Sequence, residues 1–173
     1  MIREVLRQQQ VTHVVALPDN ASSALLSLLQ SGGSPRVLGV AREGEAFAMA
    51  SGLWVGGAVP VVLIQTTGLL ESGDALRGTA MRMRVPLVCL VTYRGYGSLS
   101  ALGRAPDVID GEVLSRPDVD SVAVLAEPTL RAWRLPYDFL HRDEDVPKLG
   151  EAFRQAALRQ QPVAVLITEA TAC

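Results

Sequence analysis

Three runs constrain this chain more than anything else in it: Val61-Val62-Leu63-Ile64, Pro86 to Thr92 and Val163 to Thr168. Each is apolar along most of its length instead of at every second position. A strand with one wet face alternates polar and apolar residues, so a continuous apolar run belongs in a sheet covered on both faces. Shorter segments at Thr12 to Leu17, Arg36 to Val40 and Leu135 to Leu140 supply three more strands. Between them lie helical patterns at 2–9, from Ser22 to Gln30 with Asp19 or Asn20 as cap, and at 43–56, 69–82 and 146–160. Strands alternating with helices predict a parallel sheet with helices on each face, an α/β fold built as a three-layer α/β/α sandwich. Tyr93-Arg94-Gly95-Tyr96-Gly97 opens a long polar loop, and 107–131 reads as partly helical with an extended piece near Val122 to Leu125.

Composition removes whole classes of function. The 173 residues, 49% hydrophobic and 20% charged, suit one globular domain spanning 1–173. A net charge of −2, with arginines scattered and Lys148 the single lysine, leaves no footprint for nucleic acid. No apolar run is long enough to span a membrane, and Met-Ile-Arg-Glu-Val-Leu-Arg is no signal peptide, so a cytoplasmic protein is expected. Two cysteines, Cys89 in an apolar run and Cys173, are too few for a disulfide framework or a zinc cluster. There is no phosphate loop of the G-x-x-x-x-G-K-[ST] type, no G-x-G-x-x-G after the first strand and no G-x-S-x-G elbow. His13 and His141 stand apart from each other and from any H-E-x-x-H pattern, so no metal site is expected.

In a parallel sheet the strand C-termini share one edge, and ligands bind in the crevice there. Four loops leave that edge: Pro18-Asp19-Asn20, Arg42-Glu43-Gly44-Glu45, Gln65-Thr66-Thr67-Gly68 and Tyr93-Arg94-Gly95. Each has an ordinary explanation as a helix cap, a turn or a solvated charge. Glu43 and Glu45 fall in the first turn of a helix, where free N–H groups and the helix dipole favour acids. The small residues behind the two acids argue against that reading: Ala46, Ala48, Ala50, Ser51, Gly52, Gly56 and Gly57 leave little side chain between this helix and its neighbours. A carboxylate at the head of such a helix is costly to bury unless something uses it.

Taken in order, Leu17-Pro18-Asp19-Asn20, Arg42-Glu43-Gly44-Glu45 with Ala46, Ala50 and Gly52, Gln65-Thr66-Thr67-Gly68-Leu69, Thr92-Tyr93-Arg94-Gly95 and Pro162-Val163-Ala164-Val165-Leu166 resemble the pyrimidine-binding (PYR) domain of thiamine-diphosphate enzymes. Within that superfamily the chain is most similar to the sulfopyruvate decarboxylase alpha subunit and phosphonopyruvate decarboxylase. The resemblance implies a six-stranded parallel sheet, the thiamine-diphosphate-binding fold. It implies that Glu43, nine residues before Gly52, hydrogen-bonds N1′ of the cofactor aminopyrimidine, which leaves Glu45 as a capping acid or one that supports the site from behind. It further implies that Thr66, Thr67 and Gly68 line the cofactor or substrate pocket and that Asp19 and Asn20 approach a 2-oxo-acid substrate. Arg94 is then the candidate for a second anionic group, since guanidinium matches sulfonate or phosphonate oxygens in a fork. One stretch departs from the phosphonopyruvate enzymes. They continue from Arg-Gly into an acidic segment containing Pro-Gln-His, whereas this chain continues into Tyr96-Gly97-Ser98-Leu99-Ser100-Ala101-Leu102-Gly103, without a histidine.

In the family, thiamine diphosphate also needs a half carrying Gly-Asp-Gly and an asparagine that helps hold Mg²⁺. Here Gly73-Asp74-Ala75 does not match, and Asn20 is the single asparagine. The expectation is therefore a PYR-type alpha subunit of a two-subunit 2-oxo-acid decarboxylase. A diphosphate-binding beta subunit would carry the Mg²⁺, and the isolated chain could pair with itself through its small-residue face. The alternatives are a carboligase subunit resembling acetolactate synthase and a PYR-like interaction module without catalysis.

Overall fold

In the computed structural model, residues 1–101 and 108–168 are described. Six parallel strands, β1 (His13–Ala16), β2 (Arg36–Gly39), β3 (Pro60–Gln65), β4 (Val88–Thr92), β5 (Tyr137–Leu140) and β6 (Val163–Ile167), form one sheet in the order β2-β1-β3-β4-β6-β5. The three continuous apolar runs are the central strands β3, β4 and β6, and β4 and β6 are buried at every position. Register explains how one run serves two faces. Val62, Cys89 and Ala164 pair across the three strands, as do Val61, Val88 and Val163 one residue earlier. The first row belongs to one core cluster and the second to the other.

Helices α1 (Ile2–Gln8), α2 (Ser23–Ser31) and α9 (Pro147–Arg159) cover the face built on Leu6, Leu29 and Leu149. The opposite face is covered by α3 (Glu43–Val55), α4 (Thr66–Glu71), the single turn α5 (Gly73–Ala75), a π-helix over Leu76–Met81 and α8 (Ser121–Ala132). The three-layer arrangement is as expected. Buried Cys89 is part of the second core, and burial pushes its thiol pKa up.

Several boundaries differ from the sequence-based expectation, each for a local reason. The helix expected at 69–82 begins at Thr66, directly on the end of β3, and breaks at Ser72. There the Ser72 hydroxyl bonds back to the Gly68 carbonyl at 2.5 Å, competing with the regular ladder. Val122 to Leu125, expected as extended, lie in α8, because Asp120 accepts from the N–H groups of Val122 and Ala123 and starts a helix there. The polar loop after Tyr93 contains α6 (Tyr96–Ala101), and α7 (Gly111–Ser115) precedes α8. The stretch 102–107 in between lies outside the described residues. Strand β4 starts at Val88 and not at Pro86, whose ring nitrogen cannot donate to a ladder.

Helix α3 divides its small residues between two uses. Ala46, Ala50 and Ser51 face the core with Phe47, while Ala48 and Gly52, and Gly56 and Gly57 just past the helix end, are exposed near Val55, which is 64% exposed. Among the described residues no helix is long and apolar enough to cross a membrane. Because Leu90 is fully buried in the middle of β4, Leu90→Ala should cost about 3 kcal/mol in chemical denaturation, the usual penalty for lost burial plus a cavity.

Candidate active site

The sheet reverses its winding between β1 and β3. The chain leaves β1 through α2 on one face and leaves β3 through α4 on the other, so the strand ends open a crevice between them. A cleft of about 480 Å³ lies there, lined among others by Asp19, Asn20, Gln65, Thr92, Arg94 and Thr168. Asp19, Asn20 and Arg94 therefore share one cavity, though Arg94 lies more than 70 residues along the chain from the other two.

Their side chains do different things. Asp19 is committed to its own loop. Oδ1 accepts from the N–H groups of Ala21 (2.7 Å) and Ser22 (3.0 Å), and Oδ2 accepts from the hydroxyls of Ser22 (2.9 Å) and Thr92 (3.0 Å). It ties the start of α2 to the end of β4. Asn20 beside it is exposed. Arg94 is 60% exposed, with Nε 3.7 Å from Asp120 Oδ2, a loose pair that leaves most of the guanidinium open to the cleft side. Its backbone N–H donates to Thr66 Oγ1 at 3.1 Å, so the fully buried Thr66 locks the ends of β3 and β4 together. Asp120 falls in the segment where sequence reading is ambiguous. The signal that could have found it is an acid directly before an apolar helical run.

Glu43 does not line that cleft. It stands at the first position of α3, and its side chain lies flat against the Cα of Gly68 in α4. A methyl group at position 68 would overlap Glu43 Cγ, Cδ and Oε1, so only glycine permits this approach. Among the described residues no group hydrogen-bonds the Glu43 carboxyl. Thr67 Oγ1, one residue from Gly68, is a buried hydroxyl oxygen without a partner among the described residues. A polar atom held in that condition calls for a ligand or ordered water to satisfy it. Glu45 is turned outward and accepts from the Ala41 N–H at 3.0 Å, a capping contact.

Glu71 is the residue that sequence reading missed. From the last turn of α4 it pairs with the Arg42 guanidinium and accepts from the Gly44 N–H at 3.2 Å, gripping α3 on both sides of Glu43. The Arg42 guanidinium, bonded to it, holds the Glu71 carboxyl below the usual range. Its contribution to the brace is therefore full above the ordinary glutamate range and fades as pH falls through that lowered value. No local pattern could reveal the contact, since 27 residues separate Gly44 from Glu71.

Of the two histidines, His141 ends β5 stacked on Phe139 (ring centroids 5.0 Å apart, 9° between planes), with Nδ1 3.1 Å from Thr168 Oγ1. Phe139 in turn neighbours Tyr93, whose phenol pKa is pushed up by burial and whose hydroxyl donates to the Ala123 carbonyl. This aromatic cluster packs α6 and α8 against the edge of the sheet. Among the described residues no group of three or more His, Cys, Asp or Glu is placed to hold a metal ion.

The all-parallel, doubly wound sheet with a crevice at its switch point defines an α/β domain, and among the described residues the Glu43 carboxyl and the Thr67 hydroxyl have no hydrogen-bond partner. More narrowly, residues 1–114 match the family described as "Thiamine pyrophosphate enzyme, N-terminal TPP binding domain", and the chain belongs to it. Similar curated proteins are phosphonopyruvate decarboxylases of Streptomyces viridochromogenes and Streptomyces hygroscopicus. Both are 34% identical over 85 residues, which is 49% of this chain and 21% of each relative. Sulfopyruvate decarboxylase of Methanosarcina acetivorans is 29% identical over 92 residues, 53% of this chain and 23% of that protein. The chain thus matches less than a quarter of these relatives' length. In fold it resembles the crystal structure of benzoylformate decarboxylase from Polynucleobacter necessarius. The TM-score is 0.68 at 20% identity, over 96% of this chain and 29% of that one.

The contact between Glu43 and Gly68 can be tested without any ligand. Gly68→Ala should destabilise the protein by about 1–3 kcal/mol through overpacking. In a Glu43→Ala background the same change should be neutral, or stabilising by up to about 1 kcal/mol, the usual advantage of alanine over glycine in a helix. Denaturant titration of the four proteins measures the coupling.

Proposed function

We propose that this chain is a single PYR-type domain, the alpha subunit of a thiamine-diphosphate-dependent 2-oxo-acid decarboxylase resembling the phosphonopyruvate and sulfopyruvate enzymes. The observation that carries the reading is the Glu43 carboxyl, seated on the bare Cα of Gly68 without a hydrogen-bond partner among the described residues. Thr67 Oγ1 supplies a second unsatisfied polar atom at the same helix junction. These residues fit the aminopyrimidine end of the cofactor, a flat ring whose edge nitrogens need a proton-sharing carboxyl and further polar partners.

When bound, thiamine diphosphate supplies an electron sink for the pair released as carbon dioxide leaves a 2-oxo acid. The work of this chain is to hold and share a proton at N1′ through Glu43. The Arg42–Glu71 brace keeps that carboxyl in place, and a displacement of about an ångström from productive geometry can cost a hundredfold in rate. Asn20 and Arg94 face the substrate side of the crevice, Arg94 matching a second anionic group on the acid. Asp19 acts through its loop: its four hydrogen bonds present Asn20, and the carboxylate itself stays occupied.

The diphosphate and its Mg²⁺ belong on a partner subunit. The exposed small and apolar positions of α3, Ala48, Gly52, Val55 and Gly56, supply a close-packing surface for such a subunit.

Reconstitution with a diphosphate-binding subunit, thiamine diphosphate and Mg²⁺, and then measurement of carbon dioxide release from 2-oxo acids, tests the reading. Glu43→Gln should lower kcat by about a thousandfold, the scale of positioned acid–base catalysis. Arg94→Gln should chiefly raise KM for acids that carry a second anionic group. Full turnover by Glu43→Gln would remove the assigned role. A chain that binds neither cofactor nor partner would instead be a PYR-like interaction module. Acetolactate-type condensation without net release of the aldehyde would make it a carboligase subunit.

A further inference from the structure

At the opposite edge of the sheet, where β1 and β2 begin, a second cleft of about 550 Å³ is lined by Arg3, Arg7, Thr12, His13, Ser34 and Arg36 among others, and none of its lining residues is acidic. Three elements converge there. Arg3 and Arg7 sit one turn apart on α1, where like charges at that spacing repel. Arg36 opens β2 and pairs in register with His13 at the start of β1. Three cations around one cavity need a reason, because the wall offers no counter-charge.

Arg7 has one elsewhere: its guanidinium is paired with Glu4 at 2.6 Å. Arg3 and Arg36 do not. Neither guanidinium has a hydrogen-bond or ion-pair partner among the described residues, and the Ser34 hydroxyl has none either. Arg3 is also seated. Its guanidinium lies against the Cα of Gly32, where a β-carbon would overlap Nη2 and Cζ. The pocket thus holds two open guanidinium forks and a free hydroxyl, with a third cation at its rim. Guanidinium forks match the paired oxygens of phosphate, and a hydroxyl can serve a third oxygen.

We propose that this cleft is a binding site for a small molecule carrying a phosphate monoester, distinct from the crevice at the other edge. Strand β1 separates the two, and its three residue steps from His13 to Ala16 put them about 10 Å apart along the sheet. The cleft volume exceeds that of a phosphate group alone and falls in the usual range for small-ligand sites. The inference stands apart from the thiamine-diphosphate reading.

The test uses the full chain without thiamine diphosphate. Thermal unfolding is monitored in inorganic phosphate against chloride at equal ionic strength, and calorimetric titration uses phosphate, AMP and malonate. Phosphate should raise Tm beyond chloride, and AMP should bind more tightly than phosphate. Arg3→Gln and Arg36→Gln should each lose about tenfold or more in affinity for AMP, as expected when a charge-assisted hydrogen bond is removed. Without ligand these variants should be no less stable than the parent, since an uncompensated charge has been removed. Arg36→Lys, which keeps the charge and loses the fork, should also bind more weakly and serves if the glutamine variants do not fold. Glu43→Gln should bind AMP as the parent does. Equal stabilisation by phosphate and chloride, or unchanged AMP affinity in the arginine variants, would overturn the site. Malonate binding as tightly as AMP would overturn its assignment to phosphate, and loss of AMP binding in Glu43→Gln would merge it with the other crevice.

Discussion

The placement of Glu43 depends on its close approach to Gly68. The contact joins two helices that come after different strands, and it needs a glycine on one side and a carboxyl at a helix head on the other. With any larger residue at 68, the Glu43 side chain would have to leave the junction or the two helices would separate. The absence of a Cβ thus acts as a positional device: it lets a flexible side chain lie along a rigid backbone, which restricts it without using its carboxyl oxygens.

The surrounding polar contacts serve the same end. The Arg42–Glu71 pair is exposed, and an exposed pair contributes little stability, so its interest lies in geometry. It anchors the residues on either side of Glu43 to the helix that carries Gly68. Elsewhere along this edge of the sheet, Asp19, Thr66 and Thr92 link the ends of β1, β3 and β4 through side chains, which keeps the crevice floor in register. Side-chain length matters more than charge here. Thr66 joins the neighbouring ends of β3 and β4, and Asp19 reaches Thr92 past the end of β3, where longer side chains would fill the cleft.

The fold was legible because its signals are local. Continuous apolar runs mark strands buried on both faces, and β3, β4 and β6 are the centre of the sheet for that reason. Among the acids, the resemblance to PYR domains pointed to Glu43 through its spacing to Gly52; in the structure the Glu43 side chain lies against Gly68, and Glu45 accepts from the Ala41 N–H. Contacts made by folding alone could not be seen in the sequence. Glu71 grips α3 from another helix, Asp120 faces Arg94 from within a segment of ambiguous pattern, and Arg3 and Arg36 come to line one cleft only in the folded chain. The apolar run Val122-Ala123-Val124-Leu125 misled for a different reason: a cap at Asp120 outweighed the strand preference of its two valines.

The most direct measurement of the central claim is exchange of the C2 hydrogen of bound thiamine diphosphate with solvent deuterium, read by quenched-flow NMR in a complex reconstituted with a candidate diphosphate-binding subunit. If Glu43 holds the proton at N1′, exchange in the parent complex should be faster than in the Glu43→Gln complex by about two to four orders of magnitude at equal cofactor occupancy. Equal rates in the two complexes would contradict the account.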